Sequence, residues 1–195
     1  ETGLKGTTQV FRVDLQTRKA RPLTSGDRTV RFFEISDRTS RVLYAVNDPT
    51  HLDDLHVADL QALATRDERQ LTHLNAALWP QLQMSKVERV AFKGADGWPV
   101  DGFLMKPIGF DPAKKYPMVL SIHGGPAGMY GFDWFHEFQV YASRGWAVFF
   151  TNPRGSTGYG HKFARGIEMQ WGGNDYIDVM NGVDAAIKAN PWIDT

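Results

Sequence analysis

The chain has 195 residues, with 22 basic and 22 acidic side chains, so its formal net charge is zero. This balance provides no electrostatic attraction to nucleic acid or to an anionic membrane, and no apolar run approaches the roughly 20 residues of a membrane span. Cysteine is absent, which excludes disulfides and thiolate chemistry, and a soluble protein of either the cytoplasm or an exported compartment is expected.

The two ends of the chain have the character of cuts in a longer protein. The sequence begins at Glu1-Thr2-Gly3, without an initiator methionine or a signal peptide, and stops at Asp194-Thr195. We therefore expect the absence of targeting signals to carry no information about the compartment.

Residues 1–84 are predicted to form short strands joined by polar turns. The strand candidates at 10–15 and 21–24 recur as 55–60 and 69–72, and two further candidates lie between them at 30–35 and 42–46. Four strands in about 40–50 residues with internal similarity are typical of a β-propeller blade. A plain antiparallel meander is the alternative.

Residues 87–195 show a different pattern. Strands are predicted at 87–92, 100–105, 118–122 and 146–150, and helices at 133–144 and 174–189. Trp134, Phe138 and Tyr141 fall on one stripe of the first helix, Gly145 suits its C-terminal cap, and Asn174 is expected to cap the second. The continuous apolar run 118–122 is typical of a strand buried on both faces. This order predicts an α/β sheet with an antiparallel start and a parallel continuation.

The segment His123-Gly124-Gly125-Pro126 directly follows the strand candidate 118–122. Glycines allow the backbone to approach a substrate carbonyl, and an N–H near Gly125 can then stabilise a tetrahedral oxyanion. The alternative is a tight strand-to-loop turn without a ligand. His123 is expected to orient this loop rather than to act as a general base.

A second glycine-rich segment, residues 152–160, contains a serine that resembles a nucleophile. Ser156 has Gly158 two residues later, as a nucleophile elbow requires, but Arg154 stands where the elbow needs glycine. We therefore exclude Ser156 as the nucleophile. Arg154 is expected to form a structural ion pair with Asp175 or Asp178. The six histidines never occur at metal-ligand spacing, so neither a metal nor another cofactor is expected.

In combination, these motifs resemble the prolyl oligopeptidase family of serine peptidases, especially its acylaminoacyl-peptidase and dipeptidyl-peptidase-like branch. The resemblance covers residues 87–195 and rests on 97–107, the HGGP at 123–126, the NPRGSTGYG at 152–160, and the segments 171–173 and 190–194. It implies that residues 85–195 are the first half of an α/β-hydrolase catalytic domain. Residues 1–84 would then be the C-terminal part of the β-propeller that precedes this domain in the family.

The resemblance also implies an activity, the cleavage of short peptides through an acyl-enzyme, with the propeller selecting substrates by size. Gly125 would supply one backbone oxyanion donor, and His123, Gly124 and Arg154 would have substrate-side or structural roles. Some branches use a tyrosine hydroxyl as the first donor at the position of His123, so this sequence favours the backbone donor. The serine, aspartate and histidine of the triad are expected beyond residue 195, which would leave the chain inactive by itself.

The expected partner is a short peptide, with neither nucleic acid nor a membrane, and homo-oligomer formation by the full-length protein is left open. Two other functions remain open as well. The full-length protein could be an esterase, because oxyanion chemistry serves esters and amides alike. It could also be a propeller-based binding protein whose hydrolase domain is not catalytic.

Overall fold

The computed structural model describes residues 1–61 and 64–195 and divides the chain into two units. The first unit comprises Glu1–Gln83 together with Phe132–Trp134, and the second comprises Met84–Gly131 together with Phe135–Thr195. Each unit is described by itself.

The first unit is built from strands. They are β1 (Thr2–Leu4), β2 (Thr7–Gln9), β3 (Phe11–Val13), β4 (Ala20–Pro22), β5 (Thr29–Ser36), β6 (Arg41–Asp48), β7 (His51–Leu60) and β8 (Thr65–Gln70), with a 3-10 turn at Trp79–Gln81. Strands β5 to β8 pair successively as an antiparallel meander, β2 and β1 extend the sheet beyond β5, and β3 pairs with β4 as a separate hairpin. Four antiparallel strands in chain order fit a propeller blade and a plain meander equally well.

The repeated hairpins of the sequence are present, with different bounds from those predicted. The predicted strand 10–15 is shorter, because the Asp14 carboxylate accepts the N–H groups of Gln16 and Thr17 at 2.9 and 2.8 Å and turns the chain. The predicted strand 69–72 instead begins at Thr65 and ends at Gln70. The core of this unit contains the buried side chains of Val10, Leu23, Val30, Val42, Tyr44 and Ala58.

A charged cluster lies on the sheet of the first unit. Arg28 donates two hydrogen bonds to the Glu68 carboxylate, at 2.5 and 2.7 Å, and His56 Nδ1 lies 2.9 Å from the same carboxylate. Burial raises the pKa of Glu68, but hydrogen bonds and charges from its neighbours, Arg28 foremost, together outweigh this effect and lower the pKa to about 2. Glu68 is therefore held in its charged form by its neighbours.

The second unit is a four-stranded sheet with helices. Its elements are β9 (Val87–Lys93), β10 (Pro99–Met105), β11 (Met118–Ile122), α1 (His136–Ser143), β12 (Ala147–Asn152), α2 (His161–Ala164) and α3 (Asn174–Ala189), with 3-10 turns at Ala95–Gly97 and Arg165–Ile167. The strand order is β11-β12-β10-β9, in which β9, β10 and β12 pair antiparallel and β11 pairs parallel with β12. The antiparallel start and parallel continuation predicted from the sequence are thus confirmed.

The helix ends agree with the predictions from local sequence patterns in some places and differ from them in others. Helix α3 has the predicted bounds, and Gly145 follows α1 with a φ of +82°, the left-handed conformation expected after a helix. Asn174 is not the cap of α3; Gly173 holds that position, and the Asn174 amide donates to Asp96 at 2.9 Å. Helix α1 begins at His136, so Trp134 precedes it and does not belong to the predicted stripe.

The prediction that 118–122 is buried on both faces was wrong. Among the described residues β11 is an edge strand, paired only with β12, and the Ile122 side chain is 56% exposed. All six residues of β12 are buried instead, because β12 lies between β10 and β11. The apolar core next to this strand contains Leu104, Ala147, Phe149, Ala186 and Ile193.

Candidate active site

The HGGP turn begins immediately after Ile122, at the carboxyl end of β11. Gly125 has a φ of +134°, a conformation that favours glycine, and a Cβ atom there would lie 2.7 Å from the backbone nitrogen of Ala127. A Cβ atom on Gly124 would meet no atom within 4 Å. The backbone of the turn is therefore tightly folded at Gly125 and open at Gly124.

An apolar cavity of about 330 Å³ adjoins this turn. Gly124 and Gly125 line one side of it, and the remaining walls include Ile122, Ile167, Trp171, Tyr176, Val179 and Met180. Backbone groups next to an apolar, concave surface are the arrangement from which an oxyanion site can be built, because a low local dielectric strengthens hydrogen bonds to a developing charge.

His123 lies with its ring folded against the turn. Its Nε2 atom is 2.9 Å from Ser156 Oγ, and its Nδ1 atom is 3.0 Å from the carbonyl oxygen of Gly124. Both ring nitrogens thus have partners inside the second unit, and the loop-orienting role of His123 stays a prediction that agrees with these contacts.

Ser156 is fully buried, and its hydroxyl donates to the carbonyl oxygen of Pro153 at 2.7 Å. A nucleophile has to be reached by the substrate, and this hydroxyl has no access to solvent. The geometry therefore agrees with its exclusion from the sequence pattern.

Arg154 forms the ion pair expected for it, and Asp178 is the partner. The Arg154 Nε and Asp178 Oδ2 atoms are 2.8 Å apart, and both side chains are buried. Arg154 also donates to the carbonyl oxygen of Ala95 at 2.7 Å and lies 4.7 Å from the centre of the Trp98 ring. The hydrogen bond to Asp178 raises the pKa of the guanidinium. Asp175 instead accepts the N–H of Gly172.

Asn152 was not singled out in the sequence, although it makes three hydrogen bonds near the turn. Its Oδ1 atom accepts the N–H of Tyr130 at 2.8 Å, and its Nδ2 atom donates to the Tyr130 carbonyl at 2.8 Å and to the Tyr159 hydroxyl at 3.0 Å. Its position in the sequence could have identified it as a candidate site residue, because it is the last residue of a buried strand. The carboxyl ends of such strands are where α/β sites form.

Other kinds of site were also sought. Across residues 1–61 and 64–195, no three His, Asp or Glu side chains are grouped so that they could hold a metal ion. Within those same ranges, no helix has the length and apolar character needed to cross a membrane.

Sequence comparison relates this chain to known peptidases. The profile of the Prolyl oligopeptidase family matches residues 130–195. The chain is 36% identical over 190 residues to the uncharacterized peptidase YuxL of Bacillus subtilis, covering 97% of this chain and 28% of that protein. It is 38% identical over 122 residues to dipeptidyl-peptidase 5 of Schizosaccharomyces pombe, covering 62% of this chain and 17% of that protein. The chain thus spans less than a third of these relatives.

Structural comparison agrees. The acylaminoacyl peptidase of Pyrococcus horikoshii matches with a TM-score of 0.86 and 29% identity, over 98% of this chain and 29% of that one. Dipeptidyl peptidase 4 of Porphyromonas gingivalis matches with a TM-score of 0.74 at 20% identity, over 97% and 27% of the two chains, which is a likeness of fold. These structures support the predicted fold class, an α/β hydrolase with a β-propeller part. Together with the sequence matches, they confirm the resemblance carried by the motifs: the chain is similar to the prolyl oligopeptidase family of serine peptidases, whose profile matches residues 130–195.

Proposed function

We propose that the full-length protein is a serine-type peptidase that cleaves short peptides through an acyl-enzyme. The observation that carries this proposal is the Gly124–Gly125 turn, which follows β11 and lines an apolar cavity with backbone atoms. The named relatives are peptidases, which favours a peptidase over an esterase or a non-catalytic binding protein.

In this proposal, the N–H of Gly125 is one donor to the oxyanion of the tetrahedral intermediate, and the N–H that follows the nucleophile is the other. A single oxyanion-hole donor contributes roughly 3–4 kcal/mol to transition-state stabilisation. Gly124 leaves room for the substrate carbonyl, since no atom lies within 4 Å of its Cβ position. His123 and Arg154 act structurally, through Ser156 and Asp178.

The nucleophile is proposed to follow residue 195 in the full-length protein, on a strand beside β11. Residues 192–194 already run parallel to the start of β11: Tyr116 and Ile193 form a parallel bridge. Tyr116 N–H donates to Trp192 O at 3.0 Å, and Asp194 N–H donates to Tyr116 O at 2.9 Å. A strand continuing in this direction would run along the exposed edge of β11 toward the HGGP turn. A serine at its carboxyl end would then lie near Gly125, and the aspartate and histidine of the triad would come later.

We further propose that residues 1–84 are the C-terminal part of a β-propeller that admits short peptides, and that residues 85–195 are the first half of the hydrolase domain. The division of the structure between Gln83 and Met84 supports this boundary, with Phe132–Trp134 as an exception. Short peptides are the proposed partners, nucleic acid and membranes are not, and self-association of the full-length protein is left open.

A fluorophosphonate probe tests this function, because it reacts covalently with activated serine nucleophiles. We expect the probe to label the full-length protein at a serine beyond residue 195 and to leave the 195-residue chain unlabelled. The Ser156→Ala variant of the full-length protein is the matched control: whatever its labelling rate, since Ser156 contacts His123, the probe should attach to the same serine as in the wild type. Labelling at Ser156, or no labelling of the full-length protein, would contradict the proposal.

A further inference from the structure

The segment from His123 to Tyr130 contains the proposed oxyanion donor and is held at both ends by side chains at the end of β12 and in the loop after it. At its start, His123 Nε2 lies 2.9 Å from Ser156 Oγ. At its end, Tyr130 is bound by the side chain of Asn152. The loop that carries Gly125 is therefore fixed at both of its ends.

The Asn152 side chain binds Tyr130 with the pair of hydrogen bonds that a neighbouring strand would provide. The amide accepts the N–H of Tyr130 and donates to its carbonyl, both at 2.8 Å, so one side chain satisfies both backbone groups of one residue. Asn152 is fully buried, so loss of its amide leaves the backbone N–H and carbonyl of Tyr130 without these two partners. This makes the position of Tyr130 depend on Asn152.

Tyr130 in turn contacts residues next to the turn. Its hydroxyl lies 3.0 Å from Ser121 Oγ, in the strand before the turn. Its ring packs edge-on against the His123 ring, with 5.3 Å between centres. Because Tyr130 contacts both the strand before Gly125 and the histidine beside it, a shift of Tyr130 would alter the direction of the Gly125 N–H.

The orientation of the Asn152 amide is itself determined by neighbours. Its Nδ2 atom also donates to the Tyr159 hydroxyl at 3.0 Å, and that hydroxyl donates to Asp101 Oδ2 at 3.1 Å. Arg89 donates to the same Asp101 oxygen at 2.6 Å. A flipped amide would point its carbonyl at the Tyr130 carbonyl and its NH₂ group at the Tyr130 N–H, so only one orientation satisfies the cluster.

We infer that Asn152 is a positioning residue for the oxyanion donor, acting through Tyr130 without touching the substrate. This inference rests on the function proposed above for Gly125. It predicts a loss of turnover with little effect on substrate binding, because the oxyanion forms only after the substrate has bound.

The test uses two substitutions in the full-length protein. Asn152→Ala removes all three hydrogen bonds, and Asn152→Asp keeps an acceptor for the Tyr130 N–H but loses both donors at neutral pH. We expect each to lower kcat for a short peptide substrate by about tenfold to a hundredfold, less than the loss of a whole donor, with KM changed by less than about threefold. Asn181→Ala is the matched control, because its amide donates to the Lys93 carbonyl, outside 123–130, and it should change kcat by less than about twofold.

Two further readouts separate positioning from general stability. The carboxyl introduced by Asn152→Asp regains a donor when it is protonated, so its kcat relative to wild type should rise as the pH falls. Amide hydrogen exchange in 123–130 should be at least about tenfold faster in Asn152→Ala and unchanged in Asn181→Ala. If Asn152→Ala does not fold, Asn152→Asp carries both measurements.

The outcomes keep this inference distinct from the proposed function. An active wild type whose Asn152 variants keep kcat within about twofold would overturn the positioning role alone. A wild type without peptidase activity would overturn the proposed function, and hydrogen exchange in 123–130 would then decide whether Asn152 orders the turn. Unchanged exchange would overturn the role of Asn152 in either case.

Discussion

Each unit contains arginine–carboxylate pairs, and two of them, Arg154–Asp178 and Arg28–Glu68, differ in burial. The Arg154 and Asp178 side chains are 4% and 0% exposed, whereas those of Arg28 and Glu68 are 22% and 25% exposed. Removing one partner of a buried pair leaves an uncompensated charge away from water, while a pair in contact with solvent is partly screened. The same chemistry is therefore expected to matter far more in the second unit.

The two pairs also differ in what they join. Asp178, on α3, accepts the Arg154 N–H at 2.9 Å and the Ala95 N–H at 2.7 Å, so it connects a helix, the loop after β12 and the turn after β9. Glu68 lies on β8 and binds Arg28 and His56 within the first unit. A buried pair that joins three segments acts as a packing contact, whereas the Glu68 cluster adds to a sheet already held by backbone pairing.

The largest expected effect is that of Asp178→Ala. It leaves the buried Arg154 guanidinium without its carboxylate and the Ala95 N–H without an acceptor, so the free energy of unfolding of the second unit should fall by about 3–5 kcal/mol. This free energy can be measured by urea titration, with unfolding of each unit monitored through hydrogen exchange in peptides from that unit. Asp184→Ala, at an exposed position of the same helix, is the control and should change stability by less than about 0.5 kcal/mol. An effect of Asp178→Ala no larger than that of Asp184→Ala would contradict the importance given to the buried pair.

A smaller effect is expected from Gly94→Ala, which disturbs the same pair without removing a charge. The added Cβ atom would clash with Asp178 Oδ1 and lie 2.8 Å from Val100 Cγ2, so the carboxylate has to move. We expect the second unit to lose about 1–3 kcal/mol in the same urea titration. A double-mutant cycle with Asp178→Ala is the control, because the Gly94 substitution should cost less once that carboxylate is gone. Strict additivity would refute this account.

The smallest effect is expected from Glu68→Gln in the first unit, about 0.5–1 kcal/mol at neutral pH, since this carboxylate remains partly exposed. Its pKa is about 2 in the folded protein against an ordinary 4.5, so the stabilisation is complete above about 4.5 and is lost as the pH falls toward 2. The stability difference between wild type and variant should vanish over that interval. Glu168→Gln, in the exposed pair with Arg165, should leave the unfolding midpoint unchanged. A difference that persists at the lowest pH would show that Glu68 acts through packing.

Much of the fold follows from local patterns. Helix α3 and strand β11 have the predicted bounds, although Asn174 is not the cap of α3, because helical periodicity and an apolar run are properties of neighbouring residues. The HGGP turn was identified for the same reason, since glycine tolerates the backbone conformation that a close approach requires. The burial of β11 was not predictable in this way, because its exposure depends on which strands pair with it.

The candidate site likewise has features that the sequence predicted and features that only the tertiary structure determined. The quoted motifs were sufficient to reveal the resemblance to the family, and local spacing was sufficient to argue against Ser156 as a nucleophile and to limit the predicted partners of Arg154 to two carboxylates. Only the tertiary structure selected Asp178, buried Ser156 against His123 and brought the amide of Asn152 to the backbone of Tyr130. These contacts join residues more than twenty positions apart, and such pairs are chosen by sheet order and by the hydrogen-bonding demands of buried polar groups, which no local pattern encodes.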